Sequence, residues 1–237
     1  MKFTNSPVVE LPVGGEVLHI EQDNGSMHVG TSVWPCSLLL VKFVQRCLTS
    51  TTAEMSSEPP NPYAQILQFN NKRGVELGTG CGVAGMGLAL LGLDVVLTDI
   101  APVLPALKRN VKKNTAATSL KNAGKPGCSA GRVKISQLYW NNEKQIQVLK
   151  PPFDFIIATD VVYLENIVEP LIFTMNALAG PSSVILLGYQ IRSPEAHRLF
   201  WEICPRFFSV EKVPREYLHS DYAYEESDVY ILRKKTN

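Results

Sequence analysis

The run Val75-Glu76-Leu77-Gly78-Thr79-Gly80-Cys81-Gly82 constrains this chain more than any other stretch. A short apolar strand ends there, glycines follow at alternate positions, and a helical pattern begins near Val83. Glycine allows a sharp turn and leaves no Cβ between the backbone and an approaching ligand. Such a strand–turn–helix belongs to an open α/β sheet, whose ligands sit above the carboxyl ends of the strands. The next strand, Asp94 to Thr98, runs into Asp99, roughly 20 residues past the turn, where a carboxylate can accept both hydroxyl protons of a ribose. Two plainer explanations stand beside this one: glycines that only punctuate the chain, and an Asp99 that caps the helix after Pro102. The dinucleotide fingerprint G-x-G-x-x-G would place its third glycine where this chain has Val83, and the phosphate loop G-x-x-x-x-G-K-[ST] is absent. Strand, turn, helix, strand and acid together favour a cofactor site over simple punctuation.

The rest of the chain repeats the alternation. Val8 to Ile20, with Gly14-Gly15 inside it, predicts a β-hairpin, and Pro35 with the apolar run Leu38 to Leu48 predicts a helix. Residues 49–62, rich in Ser, Thr and Pro, predict a surface loop. After the glycine turn come a helix over Pro102 to Asn114 with Lys108, Arg109, Lys112 and Lys113 on its wet side, a polar loop over 115–131, and a strand over Val133 to Leu138. Phe153 to Thr159 and Ser183 to Gly188 are unbroken apolar runs of the kind buried on both faces of a sheet. Helices are expected over Ile167 to Ala179 and Pro194 to Cys204, and a closing antiparallel pair near Phe208 to Val213 and Val229 to Leu232. Alternation of this kind implies βαβ crossovers and a mainly parallel sheet. We expect one domain: residues 1–62 as an N-terminal hairpin, helix and loop joined to a Rossmann-like core over 63–237.

Composition narrows the function classes. A formal net charge of +1 leaves no global field for nucleic acid or an anionic membrane. No stretch approaches the ~18 apolar residues that span a bilayer, and the N-terminus lacks a signal-peptide run. The five cysteines, Cys36, Cys47, Cys81, Cys128 and Cys204, are odd in number and widely spaced, which suits reduced thiols in an intracellular protein. The four histidines, His19, His28, His197 and His219, lack metal-ligand spacing, so no metal is expected.

Site residues narrow it further. Asp160-Val161-Val162-Tyr163 follows the buried strand FDFIIAT, which places Asp160 and Tyr163 at that strand's carboxyl end. With the E-x-G-x-G-x-G turn, this D-x-x-Y run resembles the seven-β-strand class I methyltransferases. More closely the chain resembles methyltransferase family 16, the methyltransferase-like 21 group of protein-lysine methyltransferases. Gly30-Thr31-Ser32-Val33-Trp34-Pro35, Leu138-Tyr139-Trp140 and Tyr189-Gln190-Ile191-Arg192 look like further segments of that family, and the resemblance covers about residues 8–234. It departs in the extra length of 49–62 and 115–131, and in Tyr139, which stands where the family usually has an acid.

The resemblance implies an α/β, Rossmann-like seven-stranded sheet of order 3-2-1-4-5-7-6 with helices on both faces. It implies S-adenosylmethionine as cofactor, with S-adenosylhomocysteine as product. The implied cofactor contacts are Trp34, Glu76, Gly78, Thr79, Gly80, Gly82, Asp99, Ile100, Trp140 and Ala158. Asp160 and Tyr163 become the candidate catalytic pair. The implied partner is a protein substrate of the chaperone, ATPase or translation-factor kind. Composition gives no reason for an obligate oligomer, so a monomer is expected, in the cytoplasm with the nucleus as a second location.

Methyl transfer from a sulfonium is a direct displacement, so the protein's task is to align the nucleophile and exclude water. A lysine amine must first lose its proton, and burial against aromatic walls disfavours its charged form. We assign Asp160 and Tyr163 to orienting the amine first, with proton handling second. Their plainer readings are a helix cap for Asp160 and a core-edge aromatic for Tyr163. Trp34 and Trp140 have an ordinary packing role as their alternative. Arg192 is expected to pair with a neighbouring acid such as Glu195, and the acids Asp221, Glu225, Glu226 and Asp228 read as a solvated face or a receiver for a basic partner. Competing functions are a small-molecule or RNA methyltransferase, and a silent scaffold that keeps the fold. Against the first, the D-x-x-Y run lacks the paired prolines of base and glutamine methyltransferases.

Overall fold

A computed structural model describes residues 4–23, 25–49, 61–125, 127, 129–224 and 226–235. Most of the loop expected over 49–62 therefore lies outside the described residues. The hairpin forms as expected, with strands β1 (Val8–Val13) and β2 (Glu16–Glu21) around Gly14 and Gly15. Helix α1 (Pro35–Thr49) follows. The core then alternates β3 (Arg73–Leu77), α2 (Val83–Leu90), β4 (Asp94–Asp99), α3 (Leu104–Ala117), β5 (Val133–Gln137), α4 (Glu143–Val148) and β6 (Phe153–Thr159). Helix α5 (Val168–Leu178), β7 (Ala179–Gln190), α6 (Pro194–Phe207), β8 (Phe208–Lys212) and β9 (Ser227–Lys234) complete it.

The sheet order is β5-β4-β3-β6-β7-β9-β8. Counted from β3 as the first core strand, this is 3-2-1-4-5-7-6, as expected. All core pairs are parallel except those made by β9, which runs antiparallel to both β7 and β8. Successive strand residues point to opposite faces. Phe155 and Ile157 of β6 accordingly join the hairpin, α1 and α2 in one apolar cluster, while Ile156 and Ala158 join α4, α5 and α6 in the other. Leu11, Leu18 and Ile20 lie in the first cluster, so the N-terminal extension shares the core of the sheet.

Two features differ from the sequence expectation. Helix α4 was missed, although Asn142 accepts from the Gln145 amide at 3.1 Å, the capping signature of a helix start. Helix α3 also runs on to Ala117, into the stretch read as loop, and Ser119–Asn122 forms a short 3₁₀ turn. The reason is visible in Asn110 and Asn114, both buried on α3. Asn110 accepts from the Glu21 amide at 2.9 Å and donates to its carbonyl at 3.0 Å; Asn114 does the same with His19 at 2.8 and 3.0 Å. One helical turn apart, the two amides act as a substitute strand for the open edge of β2.

Candidate active site

A cavity of about 640 Å³ opens at the carboxyl ends of the core strands. Its floor is the glycine turn. Gly78 and Gly80 have φ of +61° and +56°, a region L side chains rarely adopt. A Cβ on Gly80 would stand 2.7 Å from the Gly30 carbonyl oxygen, and one on Gly78 would stand 3.2 Å from Cζ2 of Trp140. Glycine at both positions lets the 28–34 segment and the Trp140 ring close directly on the turn.

Glu76 holds the turn from behind. It is 1 % exposed, and its Oε2 accepts both the Thr79 hydroxyl and, at 2.9 Å, the Gly85 amide. Burial pushes its carboxyl up to about 8, against the pull of those two donors, so it is mostly protonated at neutral pH. The sign of the linkage follows. An acid whose folded pKa lies above its unfolded 4.5 stabilises the fold fully below pH 4.5, and that stability is lost as pH rises through about 8. Glu76→Gln keeps one oxygen for both donors and does not titrate. The wild type should therefore lose up to about 4 kcal/mol more than Glu76→Gln between pH 5 and 9, read from urea midpoints. Parallel pH profiles for the two proteins would refute the assignment.

Asp99 stands at the end of β4, 9 % exposed. Its Oδ2 accepts the Gly80 amide and its Oδ1 accepts the Ile100 amide, each at 2.8 Å. It does not cap α3, whose first residue, Leu104, follows Val103 without a side-chain cap. Each oxygen keeps a second lone pair, and the residue lines the cavity. Burial raises its pKa, opposed by the two amides and by His28.

Asp160 follows β6 directly, and its carboxylate is committed to protein partners. It has φ of +55° and a side chain 2 % exposed. Arg192 donates to its Oδ1 through Nε at 3.0 Å and Nη2 at 2.6 Å, and the Cys36 amide donates to Oδ2 at 2.9 Å. The cap it provides is thus for the first turn of α1, not for the helix that follows it. Arg192 does not pair with Glu195, which instead accepts the Ser193 hydroxyl. The guanidinium also stacks over the Trp34 ring, 4.8 Å from its centroid. Oδ1 is filled by two donors, and Oδ2 meets both the amide and the thiol of Cys36, so little of the carboxylate is left for an amine. Beside it the Cys36 thiol is pushed well up by burial and by the Asp160 charge, so it stays protonated. Tyr163 is half-buried, and its hydroxyl makes no hydrogen bond among the described residues; burial and the Asp99 charge raise its pKa.

Of the expected site residues, Trp34, Gly78, Thr79, Gly80, Asp99 and Ile100 line the cavity, and so do Trp140, Asp160 and Tyr163. Three do not. Glu76 lies beneath the turn, Gly82 opens α2 against Leu107, and Ala158 is fully buried in the core on the far face of β6. At the end of β6 the cavity is lined by Thr159 instead. Sequence reasoning also missed Met27, Val29 and Leu164, which carry no motif and gain meaning only from their position at the mouth. The acids 221–228 are partly committed elsewhere: Asp228 pairs with Lys212 at 2.8 Å and Glu226 accepts from Gln190 at 2.7 Å, while Glu225 lies outside the described residues.

A family model described as lysine methyltransferase matches residues 13–206. The chain belongs to the lysine methyltransferase family. Among curated relatives, protein N-lysine methyltransferase METTL21A of Danio rerio is 28 % identical over 96 % of this chain and 87 % of its own length. EEF1A lysine methyltransferase 3 of Mus musculus is 28 % identical over 85 % of this chain and 74 % of its own. Among solved structures, a 16S rRNA methyltransferase from T. thermophilus aligns over 96 % of this chain with a TM-score of 0.59 at 16 % identity. This chain spans 50 % of that protein. A TehB-like methyltransferase from Corynebacterium glutamicum aligns over 83 % at a TM-score of 0.51 and 17 % identity, covering 98 % of its own chain. At such identities these structures speak for the fold alone, and they place this lysine methyltransferase family member on the class I methyltransferase fold.

Proposed function

We propose that this family member transfers a methyl group from S-adenosylmethionine to a lysine side chain of a protein partner. The observation that carries the reading is the joining of the glycine turn, the Asp99 carboxylate and two tryptophan rings in one cavity. Its volume is in the range of cofactor sites, and Asp99 keeps spare lone pairs for ribose hydroxyls. Trp34, Gly78, Thr79, Gly80, Asp99, Ile100 and Trp140 would hold the cofactor. Glu76 and Gly82 support the turn without touching it. Bound S-adenosylmethionine would supply an electrophilic methyl group on its sulfonium, with S-adenosylhomocysteine as the leaving group.

The chain's residues must make that amine available. Free lysine has a pKa near about 10.4, and apolar walls disfavour its charged form. The Tyr163 hydroxyl, without a hydrogen bond among the described residues, faces the same cavity and can accept an amine N–H, aligning the nitrogen. Asp160 acts mainly as a positioning residue, joining Arg192, Trp34 and the start of α1 into one wall. With both carboxylate oxygens engaged, proton handling is its secondary role.

The test is transfer of labelled methyl into a cell extract divided into protein, RNA and small-molecule fractions, with EEF1A, named for the mouse relative, as the first purified protein to assay. Label in a few protein bands, lost in Asp99→Ala and mapped to lysine, is the expected result. Label in RNA or metabolites would overturn the substrate; cofactor binding with no label in any fraction would favour a scaffold.

A further inference from the structure

Half of the exposed large apolar side chains among the described residues gather around the mouth of the cavity. Ten large apolar side chains stand exposed among the described residues, and five of them are Met27, Val29, Tyr139, Leu164 and Ile191. The first four line the cavity, and Ile191 directly precedes Arg192, which also lines it. They come from four separate segments, at the ends of β5, β6 and β7 and in the stretch between β2 and α1. Met27 is 96 % exposed. Convergence of this kind on one opening marks an interaction surface, not scattered exposure.

The exposed charges next to these residues along the chain are mainly acidic. Exposed Asp23, Glu165 and Glu195 lie within four residues of Met27, Leu164 and Ile191 along the chain. The cation within the lining, Arg192, is engaged by Asp160. Exposed Lys144, on α4 beyond Tyr139, is the basic neighbour in the chain on that side. Such a mouth suits an ammonium group entering from an apolar surround.

We propose that this collar docks a protein surface on which the target lysine emerges among apolar side chains, so that recognition is by apolar contact with carboxylates at the margin. The inference rests on the protein-lysine reading above. It excludes a lysine presented in a highly charged tail, which would leave the collar in water.

The test compares Leu164→Asp and Ile191→Asp with Val210→Asp, an exposed apolar position on β8 away from the cavity. Initial rates of labelled transfer into the protein fraction of dilute extract are measured, with cofactor affinity by calorimetry. Each collar variant should lose about 10-fold in rate and recover it as the extract is concentrated, as expected when contacts that only bind substrate are removed. Ile191→Asp should bind cofactor as the wild type does, and Val210→Asp should transfer normally. Wild-type transfer should change less than about 2-fold between 50 and 500 mM NaCl, since exposed charge pairs are screened over that range and apolar contacts are not. Collar variants that transfer at the wild-type rate, or a steep fall with salt, would overturn the collar while leaving the methyltransferase reading intact. Wild-type cofactor binding without protein labelling would instead sink that reading, and the collar with it.

Discussion

Asp99→Ala should weaken S-adenosylmethionine binding by about 100-fold or more, because hydrogen bonds to a charged acceptor contribute about 1.5–3 kcal/mol each and two ribose hydroxyls lose theirs. The substitution also orphans the Gly80 amide, which Asp99 Oδ2 holds at 2.8 Å on the cavity floor. Asp99→Asn should be nearly as damaging. Both carboxylate oxygens accept backbone amides, from Gly80 and Ile100, and an asparagine would turn its NH₂ against one of them. Affinity should fall at low pH as Asp99 protonates, and at a higher pH than for an ordinary aspartate, since burial raises its pKa. Calorimetry at several pH values measures all three effects. Binding within about 3-fold of wild type for Asp99→Ala would remove Asp99 from the cofactor site.

Asp160→Ala should destabilise the protein by about 3–5 kcal/mol, the usual consequence of leaving one partner of a buried ion pair behind. Here the stranded partner is Arg192, whose side chain is 14 % exposed. The Cys36 amide at the start of α1 also loses its acceptor. For a chain of this size the melting temperature should drop by about 10 °C. Asp160→Ala with Arg192→Met should recover much of it, because the uncompensated charge is gone. A double-mutant cycle that shows no coupling would mean that the pair is only a surface contact.

The glycine turn, Asp99 and the buried strands were legible because each is local: a residue type at a fixed distance along the chain, tied to one backbone requirement. Hydrophobic periodicity carried the alternation of strands and helices for the same reason. The order of the strands and the family reading came from motif resemblance, and the sheet has that order. The short helix α4 was overlooked although its capping residues were in view.

What tertiary structure alone decided is who meets whom across long separations. Asp160 and Cys36 lie 124 residues apart, and only folding turns a candidate amine acceptor into the cap of α1 and the partner of Arg192. Asn110 and Asn114 read as polar positions on a helix until the edge of β2 is brought against them. Glu76 sits within the most telling motif of the chain, yet it lies beneath the turn and not in the cavity, with its proton retained by burial. The sequence by itself determined the elements, the cradle and its acid, because local backbone preference and periodicity are written in neighbouring residues. Burial and long-range pairing determined which polar groups remain free to act, because desolvation and hydrogen-bond saturation exist only once distant segments are packed together.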